Sequence, residues 1–415
     1  MNSKKQEYNI ISKCRISNSK NINNILNFGD QPLANAFKER KEDIDKKFPL
    51  SISYCHDSSL VQLNETVAKE ILFDKYMWLT GTSLTTKDYI ESFIENAIKN
   101  VNIKKNDFIL EIASNDGTLL KTFIKKGYKN ILGVDPAKNL AKKANDNGVK
   151  TLPEFWNSCL ASKIVKKYNS AKLLIARNVI PHVSDLMDVI RGIELVLRKD
   201  GIGIIEFHNA SKIQQELHYD SIYHEHLCYF SIKSISYLLN KFNLYPFHVE
   251  KSPISGGSLV IYFSKEKKSQ SKQLEEATNY EEINKINTYN SWLNFADKVH
   301  KHRQNTKNIL KSFNTKKIIG FGSSARSQTY LNFCGIDFNT ISAIIDNNTF
   351  KQNLYSPGSS IPVISFEKGM SMSPDIIIIL AWNFKNEIIN ACLKNNFVGK
   401  FLIPFPNDLK IIAGK

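Results

Sequence analysis

Cysteine, proline and glycine are all sparse in this chain. Its 415 residues include 18 glycines, 12 prolines and six cysteines, which are Cys14, Cys55, Cys159, Cys228, Cys334 and Cys392. The cysteines lack the dense, even spacing of a disulfide framework, and the composition excludes a collagenous, disordered or low-complexity chain. We therefore expect reduced thiols in a globular protein of about two to four domains.

The sequence also lacks a long hydrophobic run. The most apolar stretch, residues 376–382, is Ile-Ile-Ile-Ile-Leu-Ala-Trp, whereas a membrane-spanning helix needs about 20 apolar residues. Its β-branched residues predict a buried strand. The polar start of the chain contains no apolar core of the length that a signal peptide has, so we expect a cytoplasmic protein without membrane association.

Acidic residues are in the minority. The chain contains 40 Asp and Glu residues and 56 Lys and Arg residues, which gives a formal charge of +16. Such a charge attracts phosphates, nucleotides or nucleic acid. No stretch interleaves aromatic and basic residues and no groove-binding motif is present, so nucleic acid is not an expected partner.

The chain divides into three regions of different pattern. Residues 1–70 carry short apolar runs broken by polar turns, which predicts a small β-rich module. Residues 71–262 alternate amphipathic helices with β-branched strands, and this pattern requires a parallel sheet covered by helices. Residues 263–415 begin with a charged hinge and a long helix and then resume the alternation. The sequence therefore predicts an α/β protein with two Rossmann-like units, the second smaller than the first.

The first of these units contains a candidate nucleotide site. Residues 108–117 are typical of a strand, a small-residue turn and a helix start, and Asp135 ends the next predicted strand, 24 residues after Glu111. A carboxylate there can accept both hydroxyls of a ribose. The turn has neither a G-x-G-x-x-G pattern nor a Walker lysine, which favours S-adenosylmethionine over a dinucleotide. The structural alternative is that Asp135 only caps the following helix.

Nine short motifs extend over nearly the whole chain. They are residues 29–37 (Gly-Asp-Gln-Pro-Leu-Ala-Asn-Ala-Phe), 60–63 (Leu-Val-Gln-Leu), 111–117 (Glu-Ile-Ala-Ser-Asn-Asp-Gly), 133–137 (Gly-Val-Asp-Pro-Ala), 178–183 (Asn-Val-Ile-Pro-His-Val), 222–230 (Ile-Tyr-His-Glu-His-Leu-Cys-Tyr-Phe), 256–259 (Gly-Gly-Ser-Leu), 331–336 (Leu-Asn-Phe-Cys-Gly-Ile) and 381–384 (Ala-Trp-Asn-Phe). Together, in this order and spacing, they resemble the three-domain, S-adenosylmethionine-dependent sugar C-methyltransferases that act on C-3' of nucleotide-linked 4-keto-deoxysugars.

The resemblance implies an architecture and a set of cofactor contacts. The architecture is a small N-terminal module of the zinc-binding type, a class I Rossmann-like methyltransferase domain and a C-terminal Rossmann-like domain that binds the nucleotide sugar. The cofactor contacts are Glu111, Ala113, Asn115, Asp116, Gly117, Asp135 and Asn178. The implied reaction needs a base and an enolate stabiliser but no metal or redox cofactor.

Residues 223–226, Tyr-His-Glu-His, are dense in acid–base groups. This density is improbable as core packing, because each group would need a buried partner. The resemblance implies that His226 is the general base, and neutral imidazole titrates near neutral pH. We expect Glu225 to orient a histidine or hold a sugar hydroxyl, and Tyr223 to hydrogen-bond the ketone or enolate oxygen.

Two further residues are candidates for catalysis. His182 follows the predicted strand at 173–176, at the sheet edge where donor and acceptor should meet. It is the second candidate base, and its alternative is an ordinary loop residue. Tyr76 resembles the active-site tyrosine of the family, and its alternative is a hydrophobic lid or core element.

The second Rossmann-like unit supplies candidate substrate contacts. It opens with Gly-Phe-Gly-Ser-Ser-Ala-Arg at 320–326, a strand, glycine turn and helix start whose amides and guanidinium can bind a pyrophosphate or sugar. The candidate substrate-binding residues are His224, Gly322, Ser323, Arg326 and Asp346. The structural alternative for the glycine turn is close strand–helix packing.

The N-terminal module departs from the family in its metal ligands. The family has two Cys-x-x-Cys pairs on one zinc, but the corresponding segments here are Cys14-Arg-Ile-Ser17 and Cys55-His-Asp-Ser58. Neutral hydroxyls replace thiolates poorly, and His56 directly follows Cys55, unlike a usual knuckle. We expect no tight structural zinc, with Cys14 and Cys55 as remnants of such a site.

Two positions near the expected cofactor and sugar also differ from the family. Ala113 replaces a glycine, and its Cβ disfavours positive φ, so we expect a local shift of cofactor geometry. Ser255 replaces a histidine common in relatives, which affects the expected sugar contacts.

Three other functions are alternatives. An O- or N-methyltransferase on a related nucleotide sugar would share the cofactor site without a carbon acid. A catalytically degenerate scaffold would have lost zinc and activity, and a nucleic-acid-binding module would use only the positive charge. The absence of heptads or a broad apolar surface stripe predicts a monomer.

Overall fold

The computed structural model describes residues 7–72 and 84–414. The N-terminal region consists of short strands, as its broken apolar runs predict. These strands are β1 (Tyr8–Ile10), β2 (Ile22–Pro32), β3 (Lys47–Cys55), β4 (Val61–Leu63) and β5 (Glu65–Val67). Strands β2, β3 and β4 form an antiparallel sheet, and β1 pairs with β5. The predicted β-rich module is confirmed.

The central region alternates helices and strands. Its elements are α1 (Lys69–Leu72), α2 (Leu84–Val101), β6 (Ile109–Ile112), α3 (Thr118–Lys125), β7 (Ile131–Val134), α4 (Lys138–Asp146), β8 (Thr151–Leu152), α5 (Ser158–Tyr168), β9 (Ala171–Arg177), α6 (Leu186–Val196), β10 (Leu197–His208), α7 (Ala210–Gln215), β11 (Cys228–Tyr229), α8 (Ile232–Asn240), β12 (Tyr245–Ser252) and β13 (Ser258–Ser264). The central sheet has the order β12-β13-β10-β9-β6-β7-β8, with β6 to β10 parallel. The parallel α/β unit is confirmed, and the antiparallel pair β12 and β13 extends it.

The C-terminal region contains the second α/β unit. Its elements are α9 (Lys272–Ile283), α10 (Tyr289–Ser312), β14 (Ile318–Phe321), α11 (Ala325–Cys334), β15 (Ile344–Ile345), β16 (Val363–Ile364), α12 (Phe366–Ser371), β17 (Ile376–Ile379), α13 (Lys385–Lys394), β18 (Lys400–Ile403) and β19 (Lys410–Ala413). They form a sheet of order β16-β15-β14-β17-β18-β19. The apolar run at 376–382 contains the fully buried strand β17. Within the described residues, no helix is both long and apolar enough to cross a membrane.

The central sheet is buried on both faces. Along β9, successive side chains alternate between the faces. Leu173 and Ile175 pack into the cluster that holds side chains of α2 and α3, whereas Leu174 and Ala176 pack into the cluster that holds side chains of α5 and α6. This double burial directs the polar residues of the strands to the carboxyl edge.

The two-residue strand β11 belongs to a different sheet from its sequence neighbours. Cys228 pairs with Gln62 and Tyr229 with Val61, so β11 extends the N-terminal sheet. The segment just before it, residues 219–227, is therefore held between the N-terminal module and the central sheet.

The four side chains that correspond to the two Cys-x-x-Cys pairs form a small hydrogen-bonded cluster. Cys14 Sγ lies 3.2 Å from Ser58 Oγ, and Ser17 Oγ lies 3.4 Å from Cys55 Sγ. A hydrogen bond between the two thiols raises the pKa of Cys14 and lowers the pKa of Cys55. Two thiols and two neutral hydroxyls do not fit the four strong donors of tetrahedral zinc. Hydrogen bonds join these four side chains instead.

This cluster predicts that two substitutions create a metal site. In the variant with Ser17→Cys and Ser58→Cys, four thiols converge, and we expect one tightly bound zinc per chain. Zinc at a thousandfold excess over its Kd would stabilise the variant by about 4 kcal/mol. Chelator competition and thermal unfolding measure both effects.

The matched control is Ser19→Cys with Ser59→Cys, which adds two thiols to the same loops outside the cluster. We expect it to bind zinc no better than the parent chain. Failure of the first variant to bind zinc would show that the four side chains do not converge.

Candidate active site

The turn after β6 has an unusual backbone. Ala113, Asn115 and Gly117 adopt positive φ angles of 55°, 51° and 75°. At Gly117 a Cβ would lie 3.0 Å from the Val149 side chain, so this position requires glycine. Ala113 has the left-handed conformation despite its Cβ, at a cost of about 1–2 kcal/mol. The backbone conformation that a glycine would favour is therefore present at this position.

Asp135 joins this turn to the neighbouring strand. Its Oδ2 accepts a hydrogen bond from the Asn115 N–H at 2.8 Å, and its Oδ1 accepts one from the Ala137 N–H at 2.9 Å. The side chain is buried, which raises its pKa. The contact with Ala137 is the helix-capping interaction considered as the alternative. Each carboxylate oxygen has a further lone pair, so capping and ribose binding are compatible.

The other expected cofactor residues lie at the same sheet edge. Asp116 Oδ1 accepts a hydrogen bond from Thr118 Oγ1 at 2.6 Å, and the Asn178 N–H donates to the Glu206 carbonyl at 2.8 Å. Glu111 lies in β6 and is 4% exposed. Burial raises the pKa of its carboxyl group to about 8. Cofactor binding by these residues stays a prediction.

Two histidines meet at the carboxyl edge of the central sheet. His182 follows β9, and its ring centroid lies 4.7 Å from that of His226. The ring of His226 donates from Nδ1 to the Ser221 carbonyl at 2.7 Å, because a carbonyl can only accept. Its Nε2 therefore has the lone pair and accepts from the Tyr223 hydroxyl at 2.8 Å. Burial lowers the pKa of His182 to about 4 and that of His226 well below its usual value, so both rings are neutral at neutral pH.

Glu225 lies beside this pair and contacts the N-terminal module. Its Oε1 accepts a hydrogen bond from Asn35 Nδ2 at 2.6 Å, and its backbone is hydrogen-bonded to His182. Burial raises the pKa of Glu225 to about 7. Asn35 belongs to the motif at 29–37, whose role the sequence did not reveal.

His224 points to different partners from its neighbours. Its Nε2 lies 3.1 Å from the Pro49 carbonyl and 3.3 Å from the Phe48 carbonyl, and its ring packs edge-on against Phe48. These contacts anchor the loop to the N-terminal sheet. Substrate binding by His224 stays a prediction.

Arg326 connects the two α/β units. Its Nε and Nη2 donate to the two carboxylate oxygens of Asp220 at 3.0 and 2.8 Å, and its Nη1 donates to the Ser255 carbonyl at 2.7 Å. Trp382 Nε1 donates to the same Asp220 at 2.8 Å. The charge of Arg326 also contributes to lowering the pKa of His226. Arg326 thus lies near the histidine pair, with its charge balanced by Asp220.

The remaining expected substrate contacts lie in the turn after β14. Gly322 has a φ of 98°, and a Cβ there would lie 2.3 Å from the Cβ of Ala381. The Ser323 N–H donates to Asp346 Oδ2 at 2.7 Å, and Lys351 Nζ donates to the Ser323 carbonyl at 2.8 Å. Asp346 thus accepts a backbone N–H of this turn in the same way as Asp135 accepts the N–H of Asn115. The short distance to Ala381 explains the glycine at position 322 by close packing.

Tyr76 lies outside the described residues. Among the described ones, sequence analysis missed Asn35, Asp220 and Trp382, whose side chains contact the expected site residues. Asn35 and Trp382 lie within motifs that carried the family resemblance. That placement was the only signal available, because their partners are 190 and 162 residues away.

Three family models match consecutive parts of the chain. A zinc binding domain matches residues 14–73, a methyltransferase domain matches residues 87–249, and a C-methyltransferase C-terminal domain matches residues 253–406. The donor set described above does not fit the metal that the first model's description names.

Similar proteins include a full-length relative and solved structures that match less than half of this chain. C-methyltransferase NovU of Streptomyces niveus is 27% identical over 412 residues, which are 97% of either chain. The PH0226 protein of Pyrococcus horikoshii OT3 is 15% identical, with a TM-score of 0.35, and the match covers 48% of this chain and 99% of that one. Magnesium protoporphyrin IX methyltransferase of Synechocystis PCC 6803, solved with S-adenosylmethionine, is 10% identical with a TM-score of 0.33, over 43% and 79% of the two chains.

The raised pKa of Glu111 predicts a pH-dependent stability. A carboxyl group with a higher pKa in the folded state favours folding below its unfolded value near 4.5, and this contribution is lost as the pH rises through about 8. We expect the protein without ligand to lose about 2–4 kcal/mol of unfolding free energy between pH 5 and 8.5 through this group.

Denaturant unfolding at several pH values measures this effect. Glu111→Gln should abolish that part of the decline and be more stable than the parent chain at pH 8.5. The exposed Glu276→Gln on α9 is the control and should follow the parent chain. A parallel decline in Glu111→Gln would contradict the assignment.

Proposed function

We propose that the chain belongs to the three-domain, S-adenosylmethionine-dependent C-methyltransferase family and methylates a nucleotide-linked 4-keto-deoxysugar at C-3', the carbon adjacent to the ketone. Three consecutive family models and the full-length relative support this proposal. The observation that carries this proposal is the neutral, buried His226, whose Nε2 lone pair lies beside Tyr223 and His182 at the sheet edge. Its product would be a branched-chain sugar. A positive net charge of +16 suits a diphosphate-bearing acceptor.

S-adenosylmethionine, when bound, supplies an electrophilic methyl group. The residues that would hold it are those at the edge of β6, β7 and β9, namely Glu111, Asp135 and Asn178, together with the turn at 113–117. Asp135 fits a ribose because both of its oxygens are oriented by backbone N–H groups and keep acceptor capacity.

Proton removal is the task of His226. A ring carbon next to a ketone is acidic because its conjugate base is an enolate. The proton passes to Nε2, since Nδ1 already carries a proton held by the Ser221 carbonyl. The resulting imidazolium is stabilised by the enolate charge beside it, which offsets the cost of charging a buried ring.

Tyr223 then has a second role. Nε2 has one lone pair, so the Tyr223 hydroxyl must leave it before the C-3' proton is taken up. The hydroxyl then donates to the ketone oxygen, which becomes the enolate oxygen, and this is the charge-stabilising contact that the chemistry requires. Glu225, held by Asn35, is available to orient His182 or a sugar hydroxyl.

Deuterium exchange at the sugar carbon tests this mechanism. In heavy water with S-adenosylhomocysteine, the enzyme should exchange the C-3' hydrogen of one member of a panel of nucleotide-linked 4-ketosugars, as seen by NMR. His226→Gln should slow this exchange by about 10²–10⁴-fold. The exposed His300→Asn on α10 is the control and should exchange at the parent rate.

With S-adenosylmethionine present, mass spectrometry should show a gain of one methylene unit, which NMR then locates. Methyl transfer to oxygen or nitrogen without hydrogen exchange would establish the heteroatom alternative. Failure to bind S-adenosylhomocysteine in calorimetry would establish the degenerate scaffold.

Tyr223→Phe separates the two roles in the active site. The variant retains His226 but lacks the donor to the enolate, and we expect a loss of about 10²-fold in kcat with little change in KM. Steady-state kinetics measures this loss. Tyr245→Phe, whose hydroxyl contacts only exposed Asn243 among the described residues, is the matched control. An unchanged kcat in Tyr223→Phe would remove the hydroxyl from the mechanism.

A further inference from the structure

Three charged residues lie on adjacent strands at the carboxyl edge of the central sheet. Arg177 ends β9 and is in register with Glu206 on β10. Glu111 lies on β6, the other neighbour of β9, opposite Ile175. The order Glu206, Arg177, Glu111 across the sheet places one cation between two carboxylates, next to the turn at 113–117.

Glu206 is held by three hydrogen bonds from protein side chains. Its Oε1 accepts from the Tyr89 hydroxyl at 2.8 Å and the Ser252 hydroxyl at 2.6 Å, and its Oε2 accepts from Arg177 Nε at 2.7 Å. The side chain is completely buried. Glu206 therefore acts as an anchor for Arg177, with three of its roughly four acceptor positions used by protein donors.

Arg177 uses only part of its donor set on this anchor. Its Nε is bound to Glu206, and its guanidinium lies 5.5 Å from the Tyr89 ring and 5.2 Å from the Phe93 ring. Within residues 7–72 and 84–414, no hydrogen bond from Nη1 or Nη2 is present. The side chain is 10% exposed and its Nη atoms are not among the buried unsatisfied groups of the described residues. These N–H groups are therefore held in place by packing and reach solvent, where a ligand acceptor can replace water.

Within the described part of the chain, Glu111 has a carboxyl oxygen that lacks a hydrogen-bond donor. Its Oε2 is buried and has no hydrogen-bond partner among the described residues. It forms no ion pair with Arg177 within this part of the chain, although the charge of Arg177 reaches it and opposes the effect of burial on its pKa. Among the residues that the structure describes, a carboxyl group without a hydrogen-bond partner and a guanidinium with two uncommitted Nη groups thus lie on adjacent strands without an ion pair between them.

A zwitterion of the α-amino acid type complements this pair. We propose that Arg177 donates through its Nη groups to the α-carboxylate of the methionine part of the cofactor, while Glu111 accepts a hydrogen bond from the α-ammonium group. Glu206, Tyr89 and Phe93 position Arg177 for this contact. The inference rests on S-adenosylmethionine as cofactor and is independent of the sugar substrate.

Calorimetry with two ligands tests this contact without turnover. S-adenosylhomocysteine contains the amino-acid group, whereas 5'-methylthioadenosine has the same nucleoside without it. Arg177→Met should weaken S-adenosylhomocysteine binding by about 10–100-fold, the usual effect of losing a charge-assisted hydrogen bond. Binding of 5'-methylthioadenosine should change by less than about threefold.

Two further variants keep the test decisive. Arg177→Met leaves the buried Glu206 charge unpaired, so Arg177→Met with Glu206→Gln is measured as well and should show the same ligand-specific loss. Arg198→Met, at the other end of β10 and paired with Asp107 and Asp200, is the control and should bind both ligands as the parent chain does.

Each outcome has a distinct meaning. Equal weakening of both ligands would give Arg177 a purely structural role, and unchanged affinity for S-adenosylhomocysteine would exclude the contact. Either result overturns this inference but leaves the proposed reaction intact. A parent chain that binds neither ligand would overturn the cofactor assignment itself.

Discussion

Backbone pairing of β11 with β4 is the constraint on which the candidate active site depends. By joining Cys228 and Tyr229 to the N-terminal sheet, it holds the loop that carries Tyr223, Glu225 and His226. The Leu227 N–H also donates to the Pro181 carbonyl, next to His182. The histidine pair therefore forms only where the N-terminal module and the central sheet meet, and the module has a structural purpose without a metal.

Burial governs the charges around this loop. It keeps the imidazoles of His182 and His226 neutral and raises the pKa values of Glu111 and Glu225. Arg326 is the exception, because Asp220 balances its charge through two hydrogen bonds. The crevice is thus built from neutral or unpaired groups that gain partners when charged ligands arrive, which is the condition for differential binding.

Local pattern predicted most of the regular structure correctly. The helix start predicted at the end of residues 108–117 and the strand predicted before Asp135 are observed as α3, which begins at Thr118, and β7 (Ile131–Val134). β11 was missed because two residues have no periodicity and their partner is about 165 residues away in the chain. The antiparallel pair β12 and β13 was missed. β12 mixes polar and aromatic residues without a regular pattern, whereas the apolar run of β13 at residues 259–263 is typical of a buried strand.

The sequence by itself determined the alternating α/β architecture, the polar residues at strand ends and the resemblance to a family, because these depend on local periodicity and on motif order. Only the tertiary structure decided which nitrogen of His226 carries the proton, that His224 faces the N-terminal sheet and that Arg326 is paired with Asp220. These features depend on atoms that are distant in the chain, and no local pattern encodes the partner of a side chain once folding has brought remote segments into contact.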